Sequence, residues 1–174
     1  HTDLPDAIAT TWPWAFTLRL RVAVQGLSLE LQLSVHNTGE QAFPFSAALH
    51  SYFAIDQLSE ARIGGLQRVR YSDETPQDAL QAEEVLQFAD KLDRIYYQLP
   101  GPLTLQSGSH TLRLEQQGFT DAVVWNPGAQ DAAALPDLAD DEYQRFICIE
   151  PALIQPDTLA AGAQWTGRQH LEFI

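Results

Sequence analysis

Between Phe16 and Val35 the apolar residues fall on alternate positions, and this restricts the chain to a β fold more firmly than any other feature. Phe16, Leu18, Leu20, Val22 and Val24 are separated by Thr17, Arg19, Arg21 and Ala23. After Gln25-Gly26 the pattern resumes with Leu27, Leu29, Leu31, Leu33 and Val35, interleaved with Ser28, Glu30, Gln32 and Ser34. A period of two gathers the apolar residues on one face of a strand, whereas a helix would scatter them around its circumference. The glycine-containing break between the runs predicts an antiparallel hairpin, with one face buried and the other wet. Asn37-Thr38-Gly39-Glu40 supplies the next turn. The run from Phe43 to Phe53 is more continuously apolar, which predicts deeper burial.

Further short strands are predicted over 94–98, 103–105, 111–116, 122–125, 145–150 and 164–174, punctuated by Pro, Gly, Asp and Asn. Only 77–88 and 135–143 suit a helical turn or two. The ten glycines and ten prolines are dispersed, with no linker, repeat or low-complexity tract. Residues 1–174 are therefore expected to form one all-β domain, a sandwich or a barrel. Four Trp, five Tyr and eight Phe provide the core of such a fold.

Charge narrows the function. The chain carries 23 acidic against 10 basic residues, a formal charge of -13. Such a chain repels a polyphosphate backbone, so no nucleic-acid partner is expected. No apolar run is long enough to span a bilayer, and no membrane association is expected. A single cysteine, Cys148, rules out an internal disulfide and a cysteine-rich zinc site. It fits a reducing, cytoplasmic setting. Glycine-rich phosphate loops, G-x-S-x-G elbows and H-E-x-x-H stretches are absent, and the five histidines lack metal-ligand spacing. No metal or cofactor is expected.

Four positions stand out chemically. Period two places Ser46, Ala48, His50 and Tyr52 on one face of their run and Phe45, Ala47 and Leu49 on the other. His50 is then either a hydrogen-bonded structural histidine or a proton-transfer group. Glu150 closes Phe146-Ile147-Cys148-Ile149-Glu150 on the face shared by Phe146 and Cys148. A carboxylate placed there is costly unless paired, and its pKa should rise. It reads either as a buried salt bridge or as a general base tuned toward neutral pH. Asp93, beside Arg94 at the start of a strand, has the look of a solvated charge pair. Trp125, ending a strand at Asn126-Pro127-Gly128, is either core or the apolar platform on which a sugar ring stacks. Arg19 and Arg21 read as solvated residues on the wet face of the first strand.

These motifs occur in a characteristic order. Trp12-Pro13 precedes the first strand, then come Ala48-Leu49-His50-Ser51-Tyr52-Phe53, Ile63-Gly64-Gly65-Leu66 and Tyr71-Ser72-Asp73. Asp93-Arg94-Ile95-Tyr96, Val123-Val124-Trp125-Asn126-Pro127-Gly128, Phe146 to Glu150 and Leu159-Ala160-Ala161-Gly162 complete the series. Taken together the chain resembles the glucose-6-phosphate 1-epimerase family, relatives of aldose 1-epimerase. The resemblance implies an antiparallel β-supersandwich of the galactose-mutarotase-like type with its site on one broad face. It implies His50 as general acid, Glu150 as general base and Asp93 as a sugar contact, with Trp125 kept as the candidate platform for the ring. Pro151 and Lys91-Leu92 depart mildly from the family pattern and remove no catalytic group.

The implied reaction interconverts the α and β anomers of a hexose 6-phosphate. It needs two coordinated proton transfers and no redox chemistry, which suits an imidazole paired with a carboxylate. For this to hold, both side chains must face one cleft within about 10 Å of each other, wide enough for a sugar ring. A glycosidase would require paired carboxylates instead. The resemblance further implies an N-terminal family segment, with phosphate-clamping arginines, lying outside this sequence. An incomplete sheet would then expose an edge that invites self-association. The alternative expectation is a carbohydrate-binding β-sandwich that keeps the fold without turnover.

Overall fold

A computed structural model describes residues 11–75 and 77–174. The predicted hairpin forms as β1 (Phe16–Gln25) and β2 (Ser28–Asn37), in register from Gln25 opposite Ser28 to Phe16 opposite Asn37. Gly26 makes its two-residue turn at a φ of 58°, a left-handed conformation natural to glycine. The remaining strands in chain order are β3 (Phe43–Ala48), β4 (Tyr52–Ala54), β5 (Arg62–Gly64), β6 (Arg70–Ser72), β7 (Ala79–Leu80) and β8 (Val85–Gln87). They continue with β9 (Leu92–Tyr97), β10 (Leu103–Ser107), β11 (His110–Gln117), β12 (Asp121–Asn126), β13 (Phe146–Leu159) and β14 (Gln164–Phe173). One short helix, α1 (Gly128–Ala132), follows β12.

Two antiparallel sheets result. The first runs β1-β2-β14-β11-β10-β5-β8; the second runs β3-β13-β12-β9-β6-β7, with β4 also paired to β13. Their inner faces enclose two apolar clusters. Phe53, Ile63, Leu66, Leu105, Leu114, Val124, Ile147, Ile149 and Leu171 belong to one. The other holds Val35, Phe43, Phe45, Phe119, Leu153 and Leu159, flanked by Trp12, Trp14 and Trp165. Its rings meet edge to face, Trp12 on Phe43 at 5.7 Å and Phe45 on Trp165 at 5.4 Å. Phe43 is 1% exposed, so truncating it to alanine should cost about 3–5 kcal/mol.

Three expectations need correction. The apolar face of β1 is not buried: Leu18, Leu20 and Val22 are each 56% exposed and Val24 75%. β1 is the outermost strand of its sheet, paired on one side only, to β2. Residues 77–88 are extended, not helical. There Leu86 and Phe88 point inward on a period of two, and β8 pairs with β5. The stretch 135–143 does hold helical geometry at its end: it makes turns and enters a 3-10 turn at Glu142–Arg145. Finally, the strand predicted to close at Glu150 runs on through Pro151 to Leu159, with an irregularity in its pairing to β3 between Leu153 and Asp157.

Candidate active site

The outward face of the second sheet carries the predicted chemistry. Alternation along β13 sends Ile147 and Ile149 into the core and turns Phe146, Cys148 and Glu150 the other way, as the sequence predicted. Pairing aligns Tyr52, Cys148, Trp125 and Asp93 in one row across β4, β13, β12 and β9. Glu150 stands one step along, opposite Val123. Asp93 and Arg94 fall on opposite faces. Arg94 turns inward, 4.2 Å over the Tyr71 ring and 3.2 Å from Gln81 Oε1, so the pair is not simply a solvated couple.

His50 reaches this face through a break in the ladder. β3 pairs Ala48 with Ala152 and β4 pairs Tyr52 with Cys148, which sets His50 directly across from Glu150. Between those pairs Leu49 N–H still donates to Pro151 O at 3.1 Å. A regular ladder would return the bond from residue 151, but proline has no N–H. The Leu49 carbonyl instead accepts from Ser51 N at 2.8 Å, and the chain crimps around His50. That diversion would orphan Ile149 O, which accepts from Gln169 Nε2 at 3.2 Å. Gln169 lies on β14 in the other sheet, 2% exposed, and its Oε1 accepts from Ser51 Oγ at 2.6 Å. Every polar group displaced by the crimp named here thus has a partner.

The two candidate groups are in contact. His50 Nε2 lies 3.3 Å from Glu150 Oε1, with the imidazole half exposed and the carboxylate side chain 8% exposed. The two side chains are thus within the roughly 10 Å asked of an acid–base pair, but at 3.3 Å they leave no ring-width gap between them. Burial pushes the Glu150 carboxyl above its ordinary range, His50 pulls it back, and Asp93 adds to the rise. Around the pair stand aromatic rings. Tyr52 stacks on His50 at 4.9 Å, Trp125 meets it edge-on at 5.9 Å, and Phe146 packs on Trp125 at 6.0 Å. Trp125 is therefore at the site and not in the core. Beside Tyr52 and Phe146 a cleft of about 710 Å³ opens, with Arg145, Glu142 and Asp141 in its wall.

Several residues contribute in ways that local sequence did not assign. Cys148 lies fully buried beneath the pair; burial, with Glu150 adding, pushes its thiol up to about 12. Asn126, fully buried, donates to Tyr143 O at 2.8 Å and Phe146 O at 2.9 Å and accepts from Gly128 N at 2.9 Å. It pins both ends of the segment that forms the cleft wall. Gly128 has a φ of 66°, and a Cβ there would meet Lys91 N at 2.6 Å. Lys91, the chain's single lysine, bridges Glu74 and Asp131, the latter at 2.9 Å, just before Asp93. Sequence marked Asn126-Pro127-Gly128 as a turn and set Cys148 on the face of Glu150, but gave neither these hydrogen bonds nor the Lys91 bridge.

Solved structures share this arrangement of stacked antiparallel sheets. A protein of Salmonella typhimurium provisionally titled mutarotase YeaD superposes with a TM-score of 0.86 at 24% identity, covering 98% of this chain and 57% of that one. A galactose mutarotase-like protein of Lactobacillus casei gives 0.79 at 16% identity, covering 98% and 67%. The chain belongs to the aldose 1-epimerase family, whose model matches residues 1–172. A Cenchrus ciliaris protein provisionally named glucose-6-phosphate 1-epimerase is 33% identical over 171 residues, 94% of this chain and 52% of that protein. A protein of the same provisional name from Escherichia coli K12 is 29% identical over 145 residues, 81% and 47%. The chain spans about half the length of the curated relatives it matches.

Proposed function

We propose that this chain carries the acid–base machinery of a hexose 6-phosphate mutarotase, interconverting α and β anomers. The observation that supports it most is the contact of His50 Nε2 with Glu150 Oε1, set by the turn between β3 and β4 opposite β13 and flanked by Tyr52 and Trp125. Glu150 removes the proton from the C1 hydroxyl while the His50 imidazolium gives one to the ring oxygen. The C1–O5 bond breaks, the aldehyde carbon turns, and O5 attacks its other face as both protons return. Substrate and product are alike in energy and charge, so one pair serves both directions. The raised carboxyl of Glu150 suits a base, since a more basic carboxylate holds the abstracted proton better. Asp93, in register with Trp125, is assigned to sugar hydroxyls, and Trp125 to the apolar face of the ring. The 6-phosphate comes to this reading from the names of the relatives. A cytoplasmic setting belongs to it too, supported by the free thiol of Cys148. Among the described residues no helix is long and apolar enough to cross a membrane.

Exchange NMR on glucose 6-phosphate anomers tests the reading. The chain should accelerate interconversion, and Glu150→Gln should lower the rate by about 10²–10⁴-fold. Sugar binding with the anomer rate left at its spontaneous value would refute it in favour of a carbohydrate-binding module.

A further inference from the structure

His50, Cys148 and Glu150 bring an imidazole nitrogen, a thiol sulfur and a carboxylate oxygen within 4.8 Å of one another. We infer that this trio is an inhibitory site for a thiophilic divalent cation of the zinc class. The inhibition rests on the acid–base reading above; the cation site itself does not. Sequence spacing hid it, because the ligands come from two segments a hundred residues apart and meet only through strand pairing.

The donors suit such a cation. A tetrahedral zinc with one sulfur, one nitrogen and one oxygen ligand holds its donors about 3.4–3.6 Å apart. His50 Nε2 and Glu150 Oε1, at 3.3 Å, are already at that separation. Cys148 and Glu150 project from the same face of β13, so two ligands are fixed by a strand with little entropy left to lose. His50 supplies the third from its crimped turn and is half exposed, leaving a way in and a fourth position for water. The rings of Tyr52 and Trp125 pack against the imidazole at 4.9 and 5.9 Å and brace it. Hard cations such as magnesium favour all-oxygen shells and find one oxygen donor in this trio.

The buried thiol must give up its proton, which goes to solvent, and any proton held between His50 and Glu150 leaves with it; no electron moves. Coordination to the dication stabilises the thiolate that remains. Once Nε2 and Oε1 are both coordinated, neither proton transfer of the mutarotase cycle can run.

Cobalt(II) is the probe. Titrated into metal-free protein, it should give a thiolate-to-cobalt charge-transfer band that zinc displaces and magnesium does not. Cys148→Ser should abolish the band, and His50→Ala, at a half-exposed turn position, should weaken cobalt binding at least about tenfold. Absence of the band in the folded wild-type chain, or its persistence in Cys148→Ser, overturns the site. Because the readout is optical, it stands apart from the anomer exchange rate. A chain that binds cobalt but has no mutarotation defeats the catalytic reading and leaves the cation site standing. A chain that mutarotates equally well with zinc bound defeats the inhibition.

Discussion

Replacing Gln169 with leucine tests how the His50 turn is built. Gln169 lies on the inner face of β14 between Trp165, which packs with one apolar cluster, and Leu171, which belongs to the other. Its amide is the donor to Ile149 O and the acceptor for Ser51 Oγ. Leucine fills nearly the same volume but leaves a buried carbonyl without a donor, at about 1–3 kcal/mol, and a hydroxyl without its acceptor, at about 1 kcal/mol. Added apolar contact returns about 1 kcal/mol, so the net loss is about 1–3 kcal/mol. For a chain of this size that lowers the melting temperature by about 2–12 °C. The second consequence is specific to the site. With Ile149 O free, Ser51 N can return to the ladder, the crimp relaxes, and the imidazole leaves Glu150. Gln169→Leu should therefore lower kcat for anomer exchange more than it raises KM and shift the His50 ring signals in NMR spectra. Gln169→Glu keeps an acceptor for Ser51 but buries a carboxylate and sets an oxygen against Ile149 O, so it should be no more stable than the leucine variant at neutral pH. A double-mutant cycle with Ser51→Ala should show coupling of about 0.5–3 kcal/mol. If Gln169→Leu melts within about 1 °C of wild type and leaves the His50 signals unmoved, this account of the turn is wrong.

Other predictions follow from the same geometry. Burial lifts the Glu150 carboxyl above its ordinary value of 4.5, so between that value and the raised one the native state keeps a proton the unfolded chain has lost. This group's contribution to stability therefore falls as pH rises through that interval. Relative to Glu150→Gln, wild type should lose ground in urea melts on going from about pH 4 to pH 8; a constant difference would contradict the burial. Pro151→Ala supplies an N–H aimed at Leu49 O and should compete with Ser51, lowering the exchange rate while stability holds or rises. An unchanged rate with altered Leu49 amide exchange would count against the crimp. We propose that the bare apolar face of β1 drives self-association. Leu20→Lys with Val22→Lys should then shift the chain toward monomer in sedimentation velocity, and equal distributions for both proteins would refute it. Asn126→Ala strips three hydrogen bonds from a buried position and should cost about 2–4 kcal/mol in denaturant unfolding.

The strongest periodicities were legible. The β1–β2 hairpin and the outward placement of Phe146, Cys148 and Glu150 follow from alternation alone, because a strand has only two faces. The His50–Glu150 pairing came from family resemblance and not from spacing, since a hundred residues separate the two and register is a tertiary property. Residues 77–88 misled because two short strands, β7 and β8, leave too few residues to establish a period. The roles of Gln169 and Pro151 were out of reach. Gln169 acts across 118 positions on Ser51, and Pro151 acts through a hydrogen bond that it fails to make. Cys148 was read as evidence about disulfides and compartment; its neighbours give it another meaning.

Lys91 carries a consequence for covalent chemistry. The chain offers amine-directed reagents one side-chain target, and that ammonium bridges Glu74 to Asp131. Both carboxylates raise its pKa, so it reacts slowly while the bridge holds. Acetylation would erase the charge and leave two carboxylates facing each other beside Asp93, so they would push the β6–β7 connection and α1 apart. One acyl group, countable by mass spectrometry, would then loosen the rim of the face that carries Asp93 and Trp125 without touching either side chain.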